Sequence, residues 1–173
     1  MGLLHRSNVG IQVNPPLKEG SQIGIVISPS PLSLQGMNFP VTISTARMDA
    51  ENPGFDKAQF ASITVMAHLD TGATKTSIDM NLARHLKLAS TGTSNSHTAG
   101  GLKTFPNFAI DLSFPNTNLA PFTNLAISSC TLPFNINGDM NAPRNFGILI
   151  GRDVLSRWNV VWNGPTSTVF IND

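Results

Sequence analysis

Ile63, Val65, Ala67 and Leu69 alternate with Ser62, Thr64, Met66, His68 and Asp70, the clearest period of two in the chain. Successive side chains of a strand point to opposite faces. This stretch therefore predicts a half-buried strand with a carboxylate at its end, on the face opposite its apolar row. Val41 and Ile43 repeat the pattern over residues 39–44. Further strands are predicted at 22–28, 108–112 and 123–127. Ile148-Leu149-Ile150 is apolar on both faces, as a central, buried strand would be. Val160-Val161-Trp162 and residues 167–171 flank Asn163-Gly164-Pro165 and read as a final strand pair. Helical signals are few. Asp79 suits an N-cap for a short helix carrying Leu82, Ala83 and Leu86, and a second short helix is expected over 153–158. The 14 glycines and 12 prolines are spread along the whole chain, which favours short strands joined by turns. The pattern predicts an all-β domain with one or two short helices and no internal repeat.

Composition narrows the function more than the fold. The 173 residues suffice for one domain of ordinary size, here set at 39–173 behind an arm at 1–38 that has room for an extra strand. Residues 46–58, with Glu51-Asn52-Pro53-Gly54, read as an exposed hairpin loop or insertion. Charged residues are 12% of the chain and the net charge is +1, so a nucleic-acid partner is not expected. A single cysteine, Cys130, excludes an internal disulfide and a thiolate metal cluster. His5, His68, His85 and His97 show no zinc-ligand spacing, so no metal or other cofactor is expected. No apolar run approaches the ~18–20 residues of a membrane span, and the first residues lack the apolar stretch of a secretory signal. The expected setting is soluble, reducing and cytoplasmic, away from any membrane.

Two segments carry candidate chemistry. Leu69-Asp70-Thr71-Gly72-Ala73 directly follows the alternating strand, and Ile148-Leu149-Ile150-Gly151-Arg152-Asp153-Val154-Leu155 lies near the C-terminus. Together, in this order, they resemble the retropepsin-like aspartic peptidases over about residues 39–170, and most closely the cellular and bacterial members. The resemblance implies a closed or partly open β-barrel, an endopeptidase activity on peptide or protein substrates, and a two-fold homodimer. It places Asp70, Thr71 and Gly72 at the catalytic turn, with Thr71 bonding across the two-fold axis. Ala73, Thr74 and Lys75 then line the substrate groove. Ile150, Gly151, Arg152 and Asp153 become the support beside that turn. Retroviral members pair this arginine with an aspartate two residues after Asp-Thr-Gly. Here that position is Thr74, so Arg152 needs another partner.

The chemistry of carboxylates agrees with this resemblance. Hydrolysis by activated water needs two carboxyl groups close together that share one proton, because like charges a few ångströms apart cannot easily both ionise. One takes a proton from the water while the other donates to the substrate carbonyl. The chain has one Asp-Thr-Gly and no repeat, so the second Asp70 is expected from a second copy. A flap is expected between the first helix and the strand at 108–112. His97-Thr98-Ala99-Gly100-Gly101 is the best candidate, with Ala99, Gly100 and Gly101 over the substrate and a plain surface loop as the other reading. The absence of tyrosine excludes the flap tyrosine of pepsin-like enzymes. His68 shares a face with Asp70 and reads either as a substrate contact or as an ordinary strand histidine. Trp158, Trp162 and Phe170 read as core or dimer-sheet anchors.

Two other functions fit part of the pattern. Asp70-Thr71-Gly72-Ala73-Thr74-Lys75-Thr76 is similar to the first phosphate loop of actin-like sugar kinases, although no later nucleotide motif follows it. A non-catalytic dimerisation or peptide-binding module would keep the fold without the reaction. Asp70 argues against that module, since a buried carboxylate pair is costly to retain without use.

Overall fold

The strand expected from the alternating pattern is present at its predicted place, within a computed structural model that describes residues 25–27, 36–47, 61–98, 101–139, 142 and 144–173. The described strands are β1 (Ile25–Ile27), β2 (Asn38–Thr45), β3 (Ser62–Leu69), β4 (Ser77–Asp79), β5 (Ser90–Thr98), β6 (Gly101–Ser113), β7 (Phe122–Cys130), β8 (Phe146–Ile150), β9 (Asn159–Asn163) and β10 (Thr168–Asn172). Among the described residues, two short helices, α1 (Met80–His85) and α2 (Arg152–Leu155), interrupt them. The all-β class is therefore as the pattern predicted. None of the helices is long and apolar enough to cross a membrane.

Seven strands form one sheet in the order β2-β3-β8-β4-β7-β6-β5, and β2 also pairs with β6. That extra pairing closes β2, β3, β8, β4, β7 and β6 into a six-stranded barrel, with β5 left outside as an edge. The inward residues are those the alternation selects. Val65, Ala67 and Leu69 of β3 are buried with Phe39, Val41 and Ile43 of β2, and Ile110 and Leu112 of β6 join them. Each such side chain contributes roughly 1.5–3 kcal/mol by leaving water. Ile148 and Ile150 of β8 have no exposed surface, as expected for a strand hydrogen-bonded on both sides. One end of the barrel is filled by Trp158, which meets Phe114, Phe122 and Phe39 edge-on at centroid distances of 4.9, 5.9 and 6.5 Å.

A second sheet runs β1-β10-β9, all antiparallel. It joins part of the 1–38 segment to the C-terminal strands through Ile25↔Ile171 and Ile27↔Val169. The loop expected over 46–58 and the Ala99-Gly100 part of the flap lie largely outside the described residues. Ala46 is buried and Arg47 exposed at the start of that loop.

Three local expectations need correcting. The helix expected over 153–158 starts at Arg152 and closes at Leu155, because Trp158 turns into the aromatic cluster and β9 begins at Asn159. The strand at 108–112 extends back to Gly101, where it pairs along its length with β5. β5 itself, Ser-Thr-Gly-Thr-Ser-Asn-Ser-His-Thr, has no apolar row, since an edge strand outside the barrel has little core to face.

Candidate active site

β3 and β8 run parallel with Leu69 opposite Ile150, so both chemistry-bearing segments leave the barrel at the same end and side by side. β8 lies between β3 and β4, and the turn from Asp70 to Thr76 crosses its end to join them. The two segments then tie together through their backbones. The Asp70 amide donates to the Ile150 carbonyl at 3.0 Å, and the Arg152 amide donates to the Ala73 carbonyl at 2.9 Å. Gly151 sits where no side chain fits, because a Cβ there would lie 2.5 Å from the Lys75 carbonyl carbon and 2.8 Å from the Thr76 nitrogen.

The turn is built around the Asp70 side chain. Its Oδ1 accepts from the Gly72 amide at 2.8 Å and the Ala73 amide at 3.3 Å. Oδ2 has no partner among the described residues. The carboxyl group is half-buried, while Thr71, Gly72, Thr74 and Lys75 beside it are exposed. Two amides aimed at one oxygen fix the rotamer and leave the other oxygen available to a second group.

Arg152 and Asp153 hold this turn from below. Arg152 Nη1 donates to the carbonyls of Thr71 and Gly72 at 3.0 and 3.1 Å, and Nη2 donates to Thr74 Oγ1 at 2.9 Å. The partner that Arg152 lacked in sequence is therefore the turn backbone itself, with the Thr74 hydroxyl standing where a carboxylate was absent. Asp153 accepts from the Thr76 amide at 2.9 and 3.1 Å, from Thr76 Oγ1 at 2.8 Å and from the Val154 amide at 3.0 Å. Thr76 is fully buried, and its hydroxyl also accepts from the Gly151 amide at 3.1 Å. Sequence reasoning missed Thr76. Only the crossing of β8 shows that it joins the two segments.

Ala73, Thr74 and Lys75 open onto a cleft of about 770 Å³, whose other walls are the β5–β6 hairpin and β7. The hairpin pairs Ser90 with Phe108 through to Thr98 with Gly101, so Gly101 stands next to its tip. The interval in which a flap was expected is thus a hairpin beside the Asp70 turn. His97 and Thr98 lie in β5, and Ala99 and Gly100 fall outside the described residues. The cleft floor is polar. Ser94 Oγ lies 2.8 Å from Asn107 Oδ1 and 2.9 Å from Ser128 Oγ, which is itself 3.1 Å from Asn107 Oδ1. Cys130 lines the same cleft. Burial, and then the nearby Asp79 charge, push its thiol up to about 11 against a lowering bond from Ser77.

His68 does not line that cleft. Its Nδ1 lies 2.7 Å from Asn38 Oδ1 and its ring stacks on Phe146 at 4.8 Å. Burial lowers its pKa below the ordinary value, and the Asp70 charge offsets part of this. Trp158 is buried at the end of the barrel, while Trp162 of β9 and Phe170 of β10 remain 60% and 45% exposed, so the three aromatics do not share one role. Among the described residues no group of three or more His, Cys, Asp or Glu could hold a metal ion.

No family model matches the chain, and no curated protein matches it. Among solved structures, the chain is similar to a retropepsin-like aspartic protease from Rickettsia conorii. The identity is 14% and the TM-score 0.48, covering 87% of this chain and 93% of that one. This likeness assigns no residue a role.

Proposed function

We propose that the chain is a retropepsin-like aspartic endopeptidase, active as a homodimer in which each copy supplies one Asp70. The observation that carries this reading is the Asp70 turn. Its carboxyl group is fixed through one oxygen by two turn amides, and the next residues of the same turn, Ala73, Thr74 and Lys75, line a hairpin-walled cleft that Asp70 itself does not line. A water held between two such groups loses a proton to the ionised carboxylate as its oxygen attacks the scissile carbonyl carbon. The protonated partner donates to the carbonyl oxygen, and collapse of the diol breaks the C–N bond with the amine taking up a proton. Under this reading Thr71, exposed beside Asp70, meets its counterpart in the second copy, and its exposure agrees with that role. Because the pair must carry one proton, activity is expected in the acidic to mildly acidic range.

The phosphate-loop reading has less support. The Gly72 and Ala73 amides, which such a loop would offer to phosphate, already donate to Asp70 of the same turn.

Asp70→Asn is the decisive variant. It preserves the acceptor oxygen for the Gly72 amide but cannot act as a base, so peptide cleavage should fall at least about a thousandfold, the order of a lost essential group. The variant should stay folded, and light scattering should show a dimer for it as for the wild type. Undiminished cleavage by Asp70→Asn would refute the reading. Peptide binding without turnover by the wild type would instead identify a non-catalytic module.

A further inference from the structure

The cleft beside the Asp70 turn has a mixed lining, in which apolar Ala73, Phe105, Ala126 and Ile127 stand among polar and basic side chains. β6 alternates, so Lys103, Phe105 and Asn107 share one face, and all three line the cleft opposite Lys75. The Ser94 and Ser128 hydroxyls and the side-chain oxygen of Asn107 form a triangle of three short contacts, for which the two hydroxyls supply two protons. Their hydroxyl protons are used within it. The Asn107 NH2 group makes no hydrogen bond among the described residues, and Lys75 and Lys103 line the same cleft. Among the described residues lining the cleft there is no carboxylate to neutralise either lysine. The cleft therefore offers an amide donor and two exposed positive charges, with no carboxylate among its described lining residues, in a volume suited to a short peptide segment.

We infer that this cleft selects substrates by a carboxylate side chain, Asp or Glu, placed near the scissile bond and received by Lys75, Lys103 and Asn107. The inference rests on the proposed endopeptidase reading. Under that reading the two-fold axis repeats the cleft on the other side of the paired Asp70 groups, so acidic side chains are favoured on both sides of the bond. Lys75 and Lys103 are exposed, so their effect is partly screened and falls as salt rises.

The test separates binding from turnover. Labelled peptides bearing Glu, or Gln at the same positions, are titrated into the Asp70→Asn protein and followed by fluorescence anisotropy. The Glu peptide should bind on the order of tenfold more tightly at low salt, the effect of about two partly screened charge pairs. Lys103→Glu should abolish or reverse that preference in favour of Lys-bearing peptides, and Lys103→Gln should reduce it. Equal binding of the Glu and Gln peptides would overturn the inference. So would a preference that vanishes when the peptide C-terminus is amidated, since the terminal carboxylate would then be what is recognised. If the Glu preference holds in binding while the wild type cleaves no peptide, the carboxylate-binding cleft stands and the endopeptidase reading fails.

Discussion

Asp153→Ala tests how the two chemistry-bearing segments are held together. The substitution removes the acceptor for the Thr76 amide and hydroxyl, and for the Val154 amide that opens α2. Thr76 has no exposed surface, so its amide cannot turn to water without opening the turn. An unsatisfied buried donor costs about 1–3 kcal/mol, and a hydrogen bond to a charged group contributes about 1.5–3 kcal/mol net. These quantities describe the same loss from two sides and do not add. With the lost bond to Val154, the expected destabilisation is about 3 kcal/mol, a large share of the ~5–15 kcal/mol that holds a domain together. In urea, with a slope near 2 kcal/mol/M, the midpoint should fall by about 1.5 M without a change in slope. Asp153→Asn keeps one acceptor oxygen and should lose about half as much. A midpoint for Asp153→Ala within about 0.3 M of the wild type would show that the Thr76 amide does not depend on Asp153. The account of the second segment as a clasp on the Asp70 turn would then be wrong.

Two further outcomes follow from the titrating groups. Burial holds the His68 pKa below its ordinary value, so the folded chain binds fewer protons there than the unfolded chain. Stability from this residue is thus present above about pH 6.5 and lost as pH falls through the folded value. His68→Phe, which keeps a ring against Phe146, should flatten the decline in urea midpoint between about pH 7.5 and 5.5, and an unchanged pH slope would remove His68 as its source. Cys130, with its thiol pushed up to about 11, should react with an alkylating reagent at neutral pH many times more slowly than a free cysteine, and labelling at the rate of free thiol would contradict its half-buried, Asp79-facing setting.

The periodic signal in the sequence was sufficient for the longer strands with one buried face, but not for β4, whose three residues are too few to show a period. β3 and β2 were legible because alternation follows directly from what each face touches, whereas β8, apolar on both faces in sequence, buries Ile148 and Ile150 on one face and leaves Leu149 half-buried on the other. The Asp79 cap was legible for a similar local reason, since its Oδ1 accepts from the Asn81 amide at 2.8 Å two residues on. β5 was not legible as a strand, because nothing apolar marks an edge strand that lies outside the barrel.

The sequence by itself determined the β class, the position of the Asp70 turn after a half-buried strand, and the existence of a second segment in which Gly151-Arg152-Asp153 follows an apolar run. Each of these depends on neighbours within a few positions. Only the tertiary structure decided what the segments do to one another. The parallel register of Leu69 with Ile150 brings Asp70 beside Gly151, and β8 between β3 and β4 makes Thr76 the buried joint. It also decided that Arg152 grips carbonyls of the turn and that Lys75 and Lys103 face one cleft. Such contacts join residues far apart in the chain through strand order and register, which a local pattern of apolar and polar positions does not encode.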